Sequence, residues 1–238
     1  MRREVIRLDA GTSSTGRQAR GWRDGRGARS VHRMLRGLLD PVLPERCAAC
    51  GDVAAGLCAP CGRAAVPLRL PDGAPVRLAP AVLAIAAFRY DGVIARAIRD
   101  VKTPGRHRAA VHLGRLMWAE LGVVVPPVTT WPRTWVPSTP GRLRQRGADI
   151  PRLLAGPTAL DLLRRTRQSS DQTTLSARQR RIARRGDFRH RQSVPPHVVL
   201  VDDVRTTGGT AAAAAGALAD AGADRVLVVT LAAVTASP

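Results

Sequence analysis

The period of apolar and polar positions changes several times along the chain, and each change marks an element. Residues 1–33 hold Gly, Arg, Ser and Thr without apolar recurrence and read as a disordered, arginine-rich tail. From Met34 the segment MLRGLLDPVLPERC brings Leu35, Leu38, Leu39 and Val42 to helical spacing. This predicts a short helix ended by Pro44 and makes Met34 the expected alternative start. Residues 62–79 are broken by prolines and read as a linker. AVLAIAAFRY, from Ala81, is a continuous apolar strand, and DGVIARAIRDVK has the spacing of an amphipathic helix. A second amphipathic helix is predicted over 107–122, closed by Gly122. TTWPRTWVPSTP reads as a strand feeding a proline-rich loop, and 141–165 as a basic loop followed by a helix with Pro151 near its start. Residues 165–188 are polar and very basic, which suits an exposed, mobile segment. VVLVDDV is a buried strand running into a turn, TAAAAAGALADAG a helix stopped by Gly222, and DRVLVVTLAAV a final strand. This closing β-loop-α-β order predicts an α/β fold, a mostly parallel sheet with helices on both faces.

Composition adjusts this picture only slightly. At 238 residues the chain holds one α/β domain of ordinary size plus a small module. Aromatic residues make up 3%, so Ala, Val and Leu must build the core. The net charge of +20 favours polyanionic partners. It is almost entirely arginine, with Lys102 the single lysine, and together with the high alanine content this reads as codon bias more than as a nucleic-acid signal. No run approaches the roughly 20 apolar residues of a membrane span. The stretch from Thr210 to Val234 is interrupted by Asp220, Asp224 and Arg225. The N-terminal arginines precede no apolar stretch, so no secretory signal is expected and the expected location is the cytoplasm.

All four cysteines fall within 47–61, as Cys47-x2-Cys50 and Cys58-x2-Cys61. Two such pairs place their thiolates on tight turns that can face one another around a tetrahedral Zn²⁺. Gly51 and Gly62 follow the second cysteine of each pair, where a turn calls for positive φ. Two disulfides or four free thiols are the alternatives. The lack of an export signal favours zinc, and four protein ligands give it a structural role.

The segment VVLVDDVRTTGGT carries the clearest chemistry. Asp202 and Asp203 stand at the carboxyl end of a parallel strand, where open α/β sheets bind ligands. Their carboxylates suit the two vicinal hydroxyls of a ribose. Thr206, Thr207, Gly208, Gly209 and Thr210 follow and lead into the alanine helix. Glycines let backbone N–H groups approach a phosphate, the threonines add donors, and the helix start adds partial positive charge. The order therefore matches a ribose 5-phosphate, as in phosphoribosyl diphosphate (PRPP). It is neither a P-loop, since no Gly-Lys-Ser/Thr follows, nor a dinucleotide fingerprint, since GxGxxG is absent.

From Met34 to Val234 the chain resembles the ComF family, a competence-associated, phosphoribosyltransferase-like group. The resemblance rests on the opening helix, the CxxC pairs, YDGVIARAIRDVKTPGRHRAAVHLG, the proline-strand-RG loop, the arginine/glutamine segment and DDVRTTGGT. It implies a zinc-ribbon-like module over 34–75 and a type I phosphoribosyltransferase fold over 76–238. It also implies PRPP with Mg²⁺ as ligand, and single-stranded DNA or a competence helicase as partners. Asp202 and Asp203 would hold the ribose hydroxyls and Thr206 to Thr210 the 5′-phosphate. Arg146 and Gly147 would face pyrophosphate, and Lys102 falls at the family's lysine. The chain departs from the family where Arg-Gly-Phe-Asn-Gln becomes Arg146-Gly147-Ala148-Asp149-Ile150, and where Ile182 or Ala183 replaces an asparagine. Gln172, Arg180 and Phe188 match.

Other residues carry weaker signals. Lys102 either contacts a phosphate or ends a helix in solvent. Arg178, Arg180, Arg181, Arg184 and Arg185 suit nucleic-acid phosphates or a solvated loop. His107, His112, His190 and His197 show no metal spacing. Trp118, Trp131 and Trp135 read as core, and Arg205 as a solvent-facing position of the motif. Two functions are therefore expected as alternatives: a phosphoribosyltransferase, or a non-catalytic nucleic-acid-handling or adaptor protein that keeps the fold as a scaffold.

Overall fold

The computed structural model describes residues 44–68, 73–123, 125, 130–166 and 186–235. The expected tail, the opening helix up to Leu43 and the basic segment at 167–185 lie outside them.

Three apolar runs build the centre of a five-stranded sheet. These are β2 (Val82–Arg89), β6 (His197–Arg205) and β7 (Arg225–Ala233). Val198 to Val201 and Val226 to Val229 are buried, the pattern of strands covered on both faces. β1 (Val76–Ala79) and β3 (Arg133–Trp135) take the edges, giving the order β1-β2-β7-β6-β3. Every pairing is parallel except β1 with β2. The expected mixed α/β architecture with a mostly parallel sheet is thus present.

Helices cover both faces. α2 (Gly92–Val101) buries Val93, Ile94, Ala97, Ile98 and Val101, the stripe its spacing predicts. With α3 (Ala109–Gly122) it packs on Ile85, Val199, Val201 and Val229. Gly114 lets α3 approach closely: a Cβ there would sit 2.8 Å from the carbonyl oxygen of Leu154, in α5 (Ile150–Ala155). The opposite face carries α6 (Gly209–Ala219), whose alanines pack on Val198, Leu200, Val226 and Val228.

The structure departs from the sequence pattern in two stretches. Residues 62–79 are not a bare linker, because 59–64 form helix α1 (Ala59–Ala64) and 76–79 the antiparallel edge strand β1. The sequence shows no period there because both elements are short and β1 is largely exposed. The basic loop at 141–165 is also more structured. Thr139 accepts the Arg142 N–H and Pro140 opens helix α4 (Pro140–Arg146), which ends at Gly147 with φ 74°. α5 then stops at Gly156, and β4 (Leu163–Arg165) pairs antiparallel with β5 (Phe188–His190) where a helix was expected.

Candidate functional site

The four cysteine sulfurs converge, all within 4.8 Å of one another. The first pair lies on the turn closed by the Gly51 N–H donating to the Cys47 carbonyl, with Gly51 at φ 86° as expected. The second pair differs: Cys58 caps α1 and Cys61 lies within it, so Gly62 is helical and needs no positive φ. The N–H groups of Ala49 and Cys58 donate to Cys47 Sγ at 3.5 and 3.4 Å. Burial acts to raise the Cys47 thiol, but the N–H groups of Cys58, Cys50 and Ala49 outweigh it and hold it at about 6. Cys61 is pushed up by its burial and by the neighbouring Cys58 thiol. The Asp52 N–H favours a thiolate at Cys50, yet the Cys47 and Cys58 thiols push Cys50 up. Four crowded sulfurs resist joint ionisation without a cation. A tetrahedral Zn–S distance of about 2.3 Å requires sulfurs about 3.8 Å apart. Cys50 and Cys58 sulfurs are 3.5 Å apart, well beyond a disulfide bond. The donor set therefore fits a metal ion such as zinc, with no position left for substrate. The cysteine-bearing segment is seated by Gly56, where a Cβ would come within 2.5 Å of the His112 Cβ, and by the His112 Nε2–Glu45 contact at 3.1 Å.

A separate cleft of about 150 Å³ opens at the carboxyl ends of β3 and β6. It brings together Asp202, Asp203 and the whole turn Thr206 to Thr210, and adds Arg146 from α4. Gly208 turns the chain at φ 76° as the N-cap of α6, and a Cβ on it would meet Leu78 Cδ2 at 2.9 Å. The left-handed φ calls for glycine there, whereas the Leu78 side chain could shift to admit a Cβ. β6 extends through both acids to Arg205 instead of ending before them. Lys102, at the C-terminus of α2, places Nζ 2.7 Å from Asp203 Oδ2. Lys102 thus ends its helix on a carboxylate and is not simply solvated.

The acid pair is tightly held. The other oxygen of Asp203 accepts the Val204 N–H at 2.7 Å, and Asp202 Oδ1 accepts the Asp203 N–H at 2.8 Å. Burial, with the adjacent Asp203 charge, pushes the Asp202 carboxyl well above the ordinary range, towards its neutral form. These acids make a poor set of ligands for a divalent cation. Among the described residues no cluster of three or more His, Cys, Asp or Glu gathers except the cysteines. The Mg²⁺ expected with PRPP, bridging diphosphate and ribose oxygens, would take its ligands mainly from PRPP itself and gains no such cluster among the described residues.

The structure adds arginines and a clamp that the sequence did not reveal. Arg142, Arg165 and Arg205 also line the cleft. Arg205 was expected in solvent; instead its Nε is buried without a hydrogen-bond partner, and burial lowers its pKa. Arg165 donates from Nε to the Pro137 carbonyl at 3.2 Å and lies over the Phe188 ring. Asp149 accepts from Ser138 Oγ at 2.8 Å and from Trp135 Nε1 at 3.1 Å, fixing the turn after Gly147 to β3. Burial raises the Asp149 carboxyl, partly offset by those donors. Trp135 is buried as expected, while Trp131 is only half-buried and stacks on His197 at 4.8 Å. No helix among the described residues is long and apolar enough to cross a membrane. Compared with known proteins, the chain matches no protein-family model and no curated protein.

Proposed function

We propose that the cleft binds a ribose 5-phosphate, with PRPP as the ligand, in a ComF-type protein built on a type I phosphoribosyltransferase fold. The observation that carries this reading is the convergence of Asp202, Asp203 and the turn Thr206 to Thr210 on one cleft at the start of α6. In it, the threonine hydroxyls and the N–H groups of Gly208 and Gly209 hold the 5′-phosphate. The acids accept hydrogen bonds from the ribose hydroxyls, Asp202 in part as a neutral carboxyl. Arg146 faces the diphosphate. Breaking the C1–O bond releases diphosphate with its electron pair, and a nitrogen nucleophile then forms the new bond at C1 with its lone pair and gives up its N–H proton to solvent or to the released diphosphate. The arginines stabilise the charge that develops on the leaving group, and the Asp203 carboxylate lies on the side of the cationic ribose. The cysteine cluster holds structural zinc in this reading.

Titration of the full-length protein with ribose 5-phosphate and PRPP is the test, wild type against Asp202→Asn and Asp203→Asn. Binding weakened at least tenfold by either substitution is expected. A wild type that binds neither ligand ends the reading.

A second reading, a non-catalytic nucleic-acid-handling protein, is favoured by α4. Its Arg142, Arg144 and Arg146 share a helix without an acidic residue, and α4 buries no side chain. Salt-sensitive binding of single-stranded DNA that survives both Asp substitutions would select it.

A further inference from the structure

Four arginines and two aspartates line the cleft. Neither carboxylate balances the guanidinium groups. Asp203 is paired with Lys102 at 2.7 Å, and burial favours neutral Asp202. Asp187 Oδ2 lies 4.0 Å from Arg165 and offsets that group in part. A monophosphate brings at most about two negative charges and would leave the cleft cationic. The imbalance is sharpest at Arg205. Its Nε is buried with no acceptor among the described residues, a desolvated donor that no protein group there satisfies. It follows Asp203 by two residues on β6 and directly precedes the threonine-glycine turn.

We propose that Arg205, with Arg142 and Arg146, forms a second anion subsite that neutralises a diphosphate directly, in the place of a divalent cation. The donor chemistry agrees with this. Guanidinium groups meet phosphate oxygens through paired N–H donors, whereas the acids here offer a cation little free charge. The identity of the ligand rests on the ribose-phosphate reading above, but the anion subsite does not. Metal-free diphosphate is the favoured form, since a bound divalent cation would add positive charge to an already cationic cleft.

The test is calorimetric titration of the full-length protein with inorganic pyrophosphate, in EDTA and in excess MgCl₂, alongside ribose 5-phosphate. Wild type is expected to bind pyrophosphate in EDTA at least as tightly as in MgCl₂. Arg205→Leu is expected to weaken metal-free pyrophosphate at least tenfold and to leave ribose 5-phosphate within twofold. Arg142→Ala, on the exposed face of α4, gives a smaller loss and guards against misfolding at position 205. Pyrophosphate that binds only with Mg²⁺ overturns the proposal, as does unchanged metal-free binding in both variants. Ribose 5-phosphate binding with metal-dependent pyrophosphate removes this inference alone. Arg205-dependent pyrophosphate binding without ribose 5-phosphate binding keeps it and removes the ribose-phosphate reading.

Discussion

Replacing Lys102 by methionine keeps most of the aliphatic stem and deletes the charge that faces Asp203. The two groups lie 2.7 Å apart, with side chains 27% and 16% exposed. At an effective dielectric of about 20 their attraction is roughly 6 kcal/mol, most of which desolvation cancels. Exposed pairs contribute at most about 1 kcal/mol, whereas truncating one member of a fully buried pair costs about 3–5 kcal/mol. This pair lies between those limits, so Lys102→Met should cost about 2 kcal/mol. Most of that loss reflects Asp203 left beside Asp202 without a cation. Asp203→Asn should lose less, because the freed ammonium can reach solvent. In the double variant the uncompensated charge is gone, and the coupling should be about 1–2 kcal/mol. Urea denaturation of the four proteins measures it, with an unchanged denaturant slope as the condition for comparison. Effects that add to within about 0.3 kcal/mol would refute direct pairing.

Gly208→Ala should destabilise by about 1–2 kcal/mol through its left-handed φ of 76°; Leu78→Ala relieves the 2.9 Å clash but should not restore stability, and full restoration would put the cost in the clash alone. Asp202→Asn should raise the melting temperature at pH 7 while weakening ribose 5-phosphate. A carboxyl raised in the folded state contributes stability below its unfolded pKa and loses it as pH rises through the folded value, so the gain over wild type should vanish towards pH 3. Purified protein should carry one zinc per chain by elemental analysis. Cys47→Ser or strong chelation should release it and lower the melting temperature, whereas metal-free wild type of equal stability would remove the structural role.

The legible parts of the chain were those where burial is two-sided and local. β2, β6 and β7 announce themselves as unbroken apolar runs, α2 as a stripe, and the turn Thr206 to Thr210 through residue types that few other turns need. The cysteine cluster was equally legible, although Gly62 was misread because the second pair sits on a helix cap and not on a free turn. Short elements escaped. β1 is largely exposed, α4 buries nothing, and β4 and β5 have three residues each, so none imposes a period on the sequence. The ion pair of Lys102 with Asp203 and the burial of Arg205 escaped for another reason. Both depend on which helix end the sheet order brings to the carboxyl end of β6, and no local pattern encodes that order.

That order also explains why the cleft lies where it does. β3 and β6 are parallel neighbours, but the chain leaves them towards opposite faces of the sheet. After β3 it continues through α4 into α5, which packs with α2 and α3; after β6 it enters α6 on the other face. Two connections that diverge from adjacent strand ends leave a crevice, the position at which open α/β sheets take ligands. The residues that fill its walls follow from this divergence. Pro137, Ser138, Arg142 and Arg146 come from the connection after β3, and Asp202 to Thr210 from β6 and its turn. The Asp149 clamp to Ser138 and Trp135 holds the first wall against β3, while Gly208 sets the direction of the second. The cationic lining of this cleft is therefore a property of the sheet's topology, with Arg142 and Arg146 on one wall and Arg205, a helix start and two restrained acids on the other.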